Sequence, residues 1–294
     1  MAIDFGYFTL SDNAYPDNPR SASDFVLEIR EQAILADKLG YSSAWIGEHH
    51  FDRLGVNSRP DILLASIIPE TENIRLAPAV NVLPIHHPIH VAEMWATLDL
   101  LSGGRVDYAC GRGYDADEYH PFGADFMTSA EVFEEGMEVV WKAWTEEGPW
   151  SHKGKYYDIK DMDITPKPIQ KPIPFYVASF SETSSKMAGA KGHNIIYAPF
   201  AASMVYGSLA KAVDSYRENC VANGNQPGRA MCSYFIHIAD TPEEDDFGRQ
   251  AMMDYFKYCV LRAFPDDPDK MPPTMHYFMT VSYTHLTLPT NREV

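Results

Sequence analysis

Glu48, His49 and His50 stand consecutively at the end of a short apolar run, Ala44-Trp45-Ile46-Gly47, and Phe51 follows them. A carboxylate and two imidazoles in a row suit proton transfer, since an imidazole changes charge near neutral pH. If strand geometry persists through them, His49 and His50 point to opposite sides, so one serves the chemistry and the other packs or supports. His86, His87 and His90 form a second dense group that raises the question of a metal. No carboxylate stands at ligand spacing beside them, so they read as loop and helix-start histidines, with no metal site. The run Glu243-Glu244-Asp245-Asp246 reads as a helix start or a solvated face.

An apolar strand ending in titratable groups is what a parallel β/α barrel presents at the carboxyl ends of its strands. The rest of the chain alternates accordingly. Residues 3–10 read as a first strand, and Ser23 as the N-cap of a helix whose Phe25, Ile29, Ala33, Ala36 and Leu39 recur at helical spacing before Gly40 closes it. Residues 43–47 give a second strand, 61–69 a short helix, 74–82 a third strand, and 88–101 a helix with Val91, Trp95, Leu98 and Leu101 on one face. Residues 105–110 make a fourth strand, followed by a polar loop through 128 that is too long for a plain connector.

Phe133, Met137, Val140 and Trp144 mark the next helix, and 150–173 reads as an excursion with a small hairpin. Strands over 174–178, 194–198 and 231–238 follow, separated by a helix from 181 and a helix carrying Leu209, Val213, Tyr216 and Cys220. That makes seven strands. An acidic helical stretch over 240–262 comes next, with no eighth strand behind it. Residues 281–294 fit neither period and read as a non-native tail, a translated adapter remnant. The expected architecture is a single α/β domain over 1–280, a TIM (β/α)8-type barrel truncated before its last βα unit.

With 294 residues, 45% of them hydrophobic, the chain is long enough for one large domain with a buried core. The 41 acidic against 24 basic residues give a formal charge of -17, which argues against nucleic acid and anionic membrane as partners. Cys110, Cys220, Cys232 and Cys259 form no CxxC pair and suggest no disulfide framework. With no basic leader and no long apolar run, the expectation is a soluble, cytoplasmic protein.

Four strings occur in a fixed order: Glu48-His49-His50-Phe51, Leu83-Pro84-Ile85-His86-His87-Pro88, Leu101-Ser102-Gly103-Gly104-Arg105 and Gly111-Arg112-Gly113-Tyr114. Together with the alternation of elements, this resembles the bacterial luciferase-like flavin monooxygenases over roughly residues 1–240. The resemblance implies a barrel that binds reduced FMN and reacts it with oxygen. It makes His49 the catalytic imidazole beside the flavin's reactive edge, and Glu48 a neighbour that meets the flavin mainly through its backbone. Ala79 and Val80, with Asn81, match a place where the family often carries a non-prolyl cis peptide against the isoalloxazine ring. Arg112 matches an arginine that pairs with the FMN phosphate, a task that suits a guanidinium fork. Ser179, Ser181 and Thr183 match a second phosphate element, where a strand enters a helix whose N-terminal N–H groups favour a dianion. Tyr114 and Tyr119 are candidates for the cavity wall, and Phe8, Trp45, Phe51 and the 112–127 loop for walls and lid that keep water out.

Two departures stand against the pattern. Luciferases carry an arginine just after a serine near the start of the fourth helix, where this chain has Ser129-Ala130, and their reactive cysteine falls opposite Gly111, with Cys110 facing the other side of its strand. The implied reaction uses FMNH2 and O2 to oxygenate a small apolar organic substrate, an aldehyde or a ketone. The chain carries no Gly-x-Gly-x-x-Gly nicotinamide unit, so a separate flavin reductase would supply the reduced FMN. The alternatives are a deazaflavin (F420) oxidoreductase working by hydride transfer, a non-catalytic flavin-binding barrel, and a metal-dependent hydrolase. The resemblance also implies a possible homodimer, since family members are commonly dimers.

Overall fold

The structure is a computed structural model that describes residues 3–260 apart from Arg53. Its first half runs β1 (Gly6–Thr9), α1 (Ala22–Lys38), β2 (Ser43–Ile46), α2 (Pro60–Ile67), β3 (Arg75–Pro78), β4 (Asn81–Val82), α3 (Pro88–Leu101), β5 (Tyr108–Gly111) and α4 (Ser129–Thr145). A hairpin, β6 (Trp150–Lys153) and β7 (Asp158–Met162), comes next. The alternation resumes with β8 (Phe175–Ser179), α5 (Glu182–Lys191), β9 (Asn194–Tyr197), α6 (Pro199–Tyr206), α7 (Leu209–Ala222), β10 (Ala230–Cys232) and α8 (Pro242–Tyr255).

Apart from the antiparallel hairpin, every ladder is parallel, in the orders β1-β2-β3 and β10-β9-β8-β5-β4. The two sheets meet at the third stave of the barrel. There β3 pairs with β2, the chain passes a cis peptide between Ala79 and Val80, and β4 continues against β5. A bridge from Leu76 to Val106 joins the halves. The seven staves expected from the sequence are present, the third of them split in two. No ladder joins β10 to β1 among the described residues, but Arg229 beside β10 forms an ion pair with Asp4 beside β1. The fold is α/β of the TIM-barrel type, and the proposed tail, 281–294, lies outside the described residues.

Period-two alternation sorts the strand residues into two layers. Ala44, Ile46, Leu76, Tyr108, Cys110, Phe175, Val177, Ile195 and Tyr197 face the helices and join the large outer core. Trp45, Ala77, Ala109, Tyr176 and Ile196 fill the barrel interior with Phe8 and Met231 against them. Trp45 meets Tyr176 edge to face, ring centroids 5.2 Å apart, and its indole N–H donates to Ser43 Oγ at 2.8 Å. A closed floor of this kind leaves the carboxyl ends of the strands as the place for a site.

Local chemistry moves some expected boundaries. The N-cap of α1 is Ser21 rather than Ser23: its hydroxyl accepts from Asp24 N and donates to the Asp24 carboxylate in return. Gly40 closes that helix at φ 81° as expected, but Leu39 is exposed. Leu101 likewise turns outward, whereas Val91, Trp95 and Leu98 are buried. The strand expected over 231–238 ends at Cys232.

His193 stacks on Phe175, ring centroids 4.5 Å apart, and lies 4.8 Å from Trp141. Burial, reinforced by the charge of Lys191, lowers its pKa from 6.5 to about 4. The native protein holds this imidazole neutral while the unfolded chain takes up a proton, so stability is complete above pH 6.5 and is lost as pH falls toward 4, by about 3 kcal/mol in all. His193→Phe is expected to flatten that loss. Denaturant midpoints measured between pH 7 and 4.5 should fall less in the variant, and parallel falls would show that His193 is not the group titrating.

Candidate active site

β2 stops at Ile46, and the next residues are held by crossing hydrogen bonds instead of a ladder. Gly47 N donates to Thr9 O at 2.9 Å, Asn57 Nδ2 to Gly47 O at 2.9 Å, and His49 N to Asn57 O at 2.9 Å. Gly55 makes this crossing possible, because a Cβ there would sit 2.3 Å from Leu10 O and 3.1 Å from His49 Cδ2. Strand geometry therefore does not persist to His50, and the simple opposition of the two histidines gives way to something else. Both rings are buried, at 7% and 6% exposure, in different company. His49 faces Glu118 and the edge of Tyr114, ring centroids 6.4 Å apart, whereas His50 turns to Glu48 and lies 4.7 Å from the Phe122 ring.

Glu48, 2% exposed, is the centre of the cluster. Its Oε2 accepts from Asn81 Nδ2 at 2.6 Å and Val82 N at 3.1 Å, and its Oε1 lies 3.1 Å from His50 Nε2 and 2.5 Å from His86 Nε2. Burial would push the carboxyl up, but the hydrogen bonds from His50 and His86, the charge of His86 and the Asn81 amide outweigh it and hold the pKa at about 2. The side chain is fully engaged, which leaves only the backbone of Glu48 for a ligand. His86 is thus no free loop histidine: a carboxylate absent from its sequence neighbourhood reaches it in space. Glu48, His50 and His86 have the residue types of a cation site and lie close enough to share one ion. The four donors already fill the carboxylate's lone pairs.

The other candidates gather around the end of β5. Gly111 sits where a Cβ would meet Val80 Cγ2 at 2.7 Å, so Val80 packs directly on the β5 backbone, and Ala79 joins the barrel interior. Cys110 faces the outer core, as expected. Arg112 is half-buried at the start of the long loop. Tyr114 spans the gap, with one edge toward His49 and the other toward Phe180, ring centroids 6.3 Å apart. Phe180 lies between Ser179 and Ser181, where β8 enters α5. Ser181 caps α5 in a reciprocal box with Ser184, and Ser179 Oγ lies 3.0 Å from Ser184 Oγ. Thr183 is exposed on the same first turn.

Tyr119 is not a cavity wall. It is buried with Val82, Ile85 and Phe126, and its hydroxyl donates to Arg112 O, so it supports the loop from beneath. Phe51 is 57% exposed and tilts against Phe122, while Phe8 and Trp45 belong to the barrel floor. Ser129 is buried at the start of α4 and is no substitute for the missing arginine. Leu54, Tyr255 and Cys259 pack with Tyr114, so the chain after β10 covers one side of the mouth. The residues missed in the sequence are Glu118 and Ser184, of which Ser184 left a signal, the Ser-x-x-Ser spacing of a cap; Asn81 and His86 were singled out there, but not as partners of Glu48.

A parallel β/α barrel with titratable groups at the carboxyl end of its second stave defines the class to which this protein belongs. The chain is a member of the luciferase-like monooxygenase family, whose family model matches residues 3–268. Limonene 1,2-monooxygenase of Rhodococcus erythropolis is 29% identical over 82% of this chain and 62% of its own length. The oxygenase component of the flavin-dependent trigonelline monooxygenase of Acinetobacter baylyi is 24% identical over 79% of this chain and 64% of its own. The crystal structure of monooxygenase RslO1 from Streptomyces bottropensis matches with a TM-score of 0.80 at 26% identity, over 89% of this chain and 80% of that one.

Two further structures share the fold. The oxygenating constituent of 3,6-diketocamphane monooxygenase from Pseudomonas putida, in complex with FMN, has a TM-score of 0.68 at 22% identity, over 92% and 86% of the two chains. An F420-dependent secondary alcohol dehydrogenase with an F420-acetone adduct has 0.70 at 21%, over 98% and 82%. This chain spans between 48% and 64% of the length of four of the curated relatives it matches. Among the described residues, no helix is long and apolar enough to cross a membrane.

Glu48→Gln keeps the shape but turns an NH2 toward donors and removes the charge they compensate. The native carboxylate contributes stability above its ordinary pKa of 4.5, and loses it as pH falls from there to about 2. The variant is expected to be less stable at pH 7 by about 3 kcal/mol and to lack that part of the acid transition. Equal stability of the two proteins at pH 7 would refute a central role for this carboxylate.

Proposed function

We propose that this chain is the oxygenase component of a two-component monooxygenase, taking reduced FMN from a separate reductase and using O2 to put one oxygen atom into a small apolar organic molecule, an aldehyde or a ketone. The observation that carries the reading is the run of aromatic contact from His49 through Tyr114 to Phe180, which links the imidazole of β2 to the hydroxyl-rich start of α5. Membership of the luciferase-like family supports the oxygenase class, and the relative named as an oxygenase component supports the separate reductase.

The residues present fit the cofactor. A half-buried guanidinium and the junction of β8 with α5, carrying Ser179, Ser181 and Thr183, make a donor set suited to a dianionic phosphate. Val80, half-buried, and Ala79 beside it would offer a low apolar surface to a flat ring. Bound there, reduced FMN would supply the electrons that activate oxygen.

The protein's own part is to hold, shield and move protons. Arg112 would grip the phosphate through its fork, with Ser179, Ser181 and the first-turn N–H groups of α5 beside it. Glu48 would touch the ring only through its main chain, because four donors take up its carboxylate. Tyr114 and Phe180 would exclude water, which strengthens every polar interaction inside. His49 would take or give a proton at Nε2, with Nδ1 turned to the buried Glu118 carboxylate. A deazaflavin reading draws on the F420 dehydrogenase that shares the fold. Stoichiometric oxygen uptake with reduced FMN separates the two.

Arg112→Ala in the full chain is expected to weaken FMN binding by tenfold or more in a fluorescence titration, with Arg112→Lys in between. His49→Ala should keep FMN affinity within about twofold, lower coupled product formation by about 10²-fold or more, and release hydrogen peroxide. Unchanged coupling in His49→Ala would remove His49 from the chemistry, and FMN binding with no coupled product even in the native protein would leave a flavin-binding barrel. Elemental analysis should find no stoichiometric divalent metal. One ion per chain would favour the hydrolase reading through Glu48, His50 and His86.

A further inference from the structure

We propose that Glu118 is the positioning residue for His49, fixing which ring nitrogen carries the proton and stabilising the charged imidazole when it forms. The inference rests on the reading of His49 as the proton-moving group. Glu118 lies on the long loop after β5 and is 1% exposed, a location that a carboxylate occupies only with partners. Its Oε1 accepts from His50 N at 2.6 Å, an anchor that binds the loop to the segment following β2. The same oxygen lies 3.4 Å from His49 Nδ1. That separation is long for a hydrogen bond, and Nδ1 is otherwise a buried nitrogen with no partner.

The two halves of this observation answer each other. A buried ring nitrogen lacking a hydrogen-bond partner stands 3.4 Å from a buried carboxylate with acceptor capacity to spare, and a small reorientation of the ring or the carboxylate joins them. Sites of this kind are often slack until a ligand closes them. With the proton on Nδ1 held toward Glu118, the lone pair of a neutral His49 lies on Nε2. The negative charge then favours the imidazolium that forms when Nε2 takes a proton, which is the general role of a carboxylate behind a histidine base. Among the described residues, the Tyr114 ring, the Gly55 backbone and Asn57 O, which accepts from the main chain, also lie near His49. Among the described residues, Glu118 is the carboxylate paired with this ring.

The test is nitrogen NMR of the full chain labelled with 15N-histidine, with His49 assigned by loss of its signals in His49→Asn. The expected result is a neutral His49 with its proton on Nδ1 in the native protein, and in Glu118→Ala a population moved toward the Nε2-protonated form by at least threefold. Glu118→Asp, charged but one methylene shorter, should fall between. An unchanged tautomer in Glu118→Ala overturns the inference and leaves the proposed function standing. A changed tautomer combined with full coupled turnover in His49→Ala upholds the positioning role and refutes the proposed chemistry.

If Glu118→Ala fails to fold because His50 N loses its acceptor, Glu118→Gln keeps that acceptor without the charge. Its kcat with reduced FMN should drop tenfold or more while FMN affinity stays within twofold. An unchanged kcat overturns the inference.

Discussion

A carboxylate without water must be surrounded by donors, and at Glu48 that requirement organises the mouth of the barrel. The four donors come from distinct stretches: the Asn81 amide and Val82 N–H of β4, His50 beyond β2, and His86 before α3. Asn81 is itself aimed by Tyr108, whose hydroxyl donates to Asn81 Oδ1 at 2.9 Å and thereby turns the amide NH2 toward Glu48. An outer-core tyrosine on β5 therefore reaches the site through one amide. Because each donor would be stranded without the carboxylate, the second and third staves and the turn before α3 hold their relative positions as one unit.

Much of this was legible from residue order. Apolar runs of strand length, followed by helical spacing of Phe25, Ile29, Ala33 and Ala36 or of Phe133, Met137, Val140 and Trp144, mark elements whose burial follows directly from their period. The failures were local competitions and long-range meetings. Ser21 outbids Ser23 as a cap because Asp24, three residues on, can reciprocate, whereas Ser23 lies inside the first turn. The third stave reads as one apolar strand, yet its two halves pair with different neighbours. Glu118 gave no signal, and His86 stood out only as one of a histidine group, with no sign of the carboxylate it meets. They stand 68 and 38 residues from the groups they meet, and a periodic pattern carries no information on such distances.

The acidic character of the chain and the anion-binding reading of its site are compatible because they act on different length scales. The formal charge of -17 belongs mostly to exposed carboxylates, which are screened within about 8–10 Å at ordinary ionic strength. A phosphate at the start of α5 would feel chiefly the nearby guanidinium and the N–H groups of the first turn. Glu182, on that same turn, is neutralised in part by Lys186 at 2.5 Å. Surface charge of this sign would disfavour polyanions over the molecule as a whole without setting the local preference of one helix end.

Arg112, Tyr114 and Glu118 belong to a single short stretch of chain pinned from below by the Tyr119 hydroxyl on the Arg112 carbonyl. Anchoring at one end of that stretch, aromatic screening in its middle and contact with an imidazole at the other end share one backbone. A displacement of it is felt at all three points together. On the proposed function, a ligand seated against the guanidinium would therefore bear mechanically on the histidine, and recognition and reactivity would become settings of the same lever.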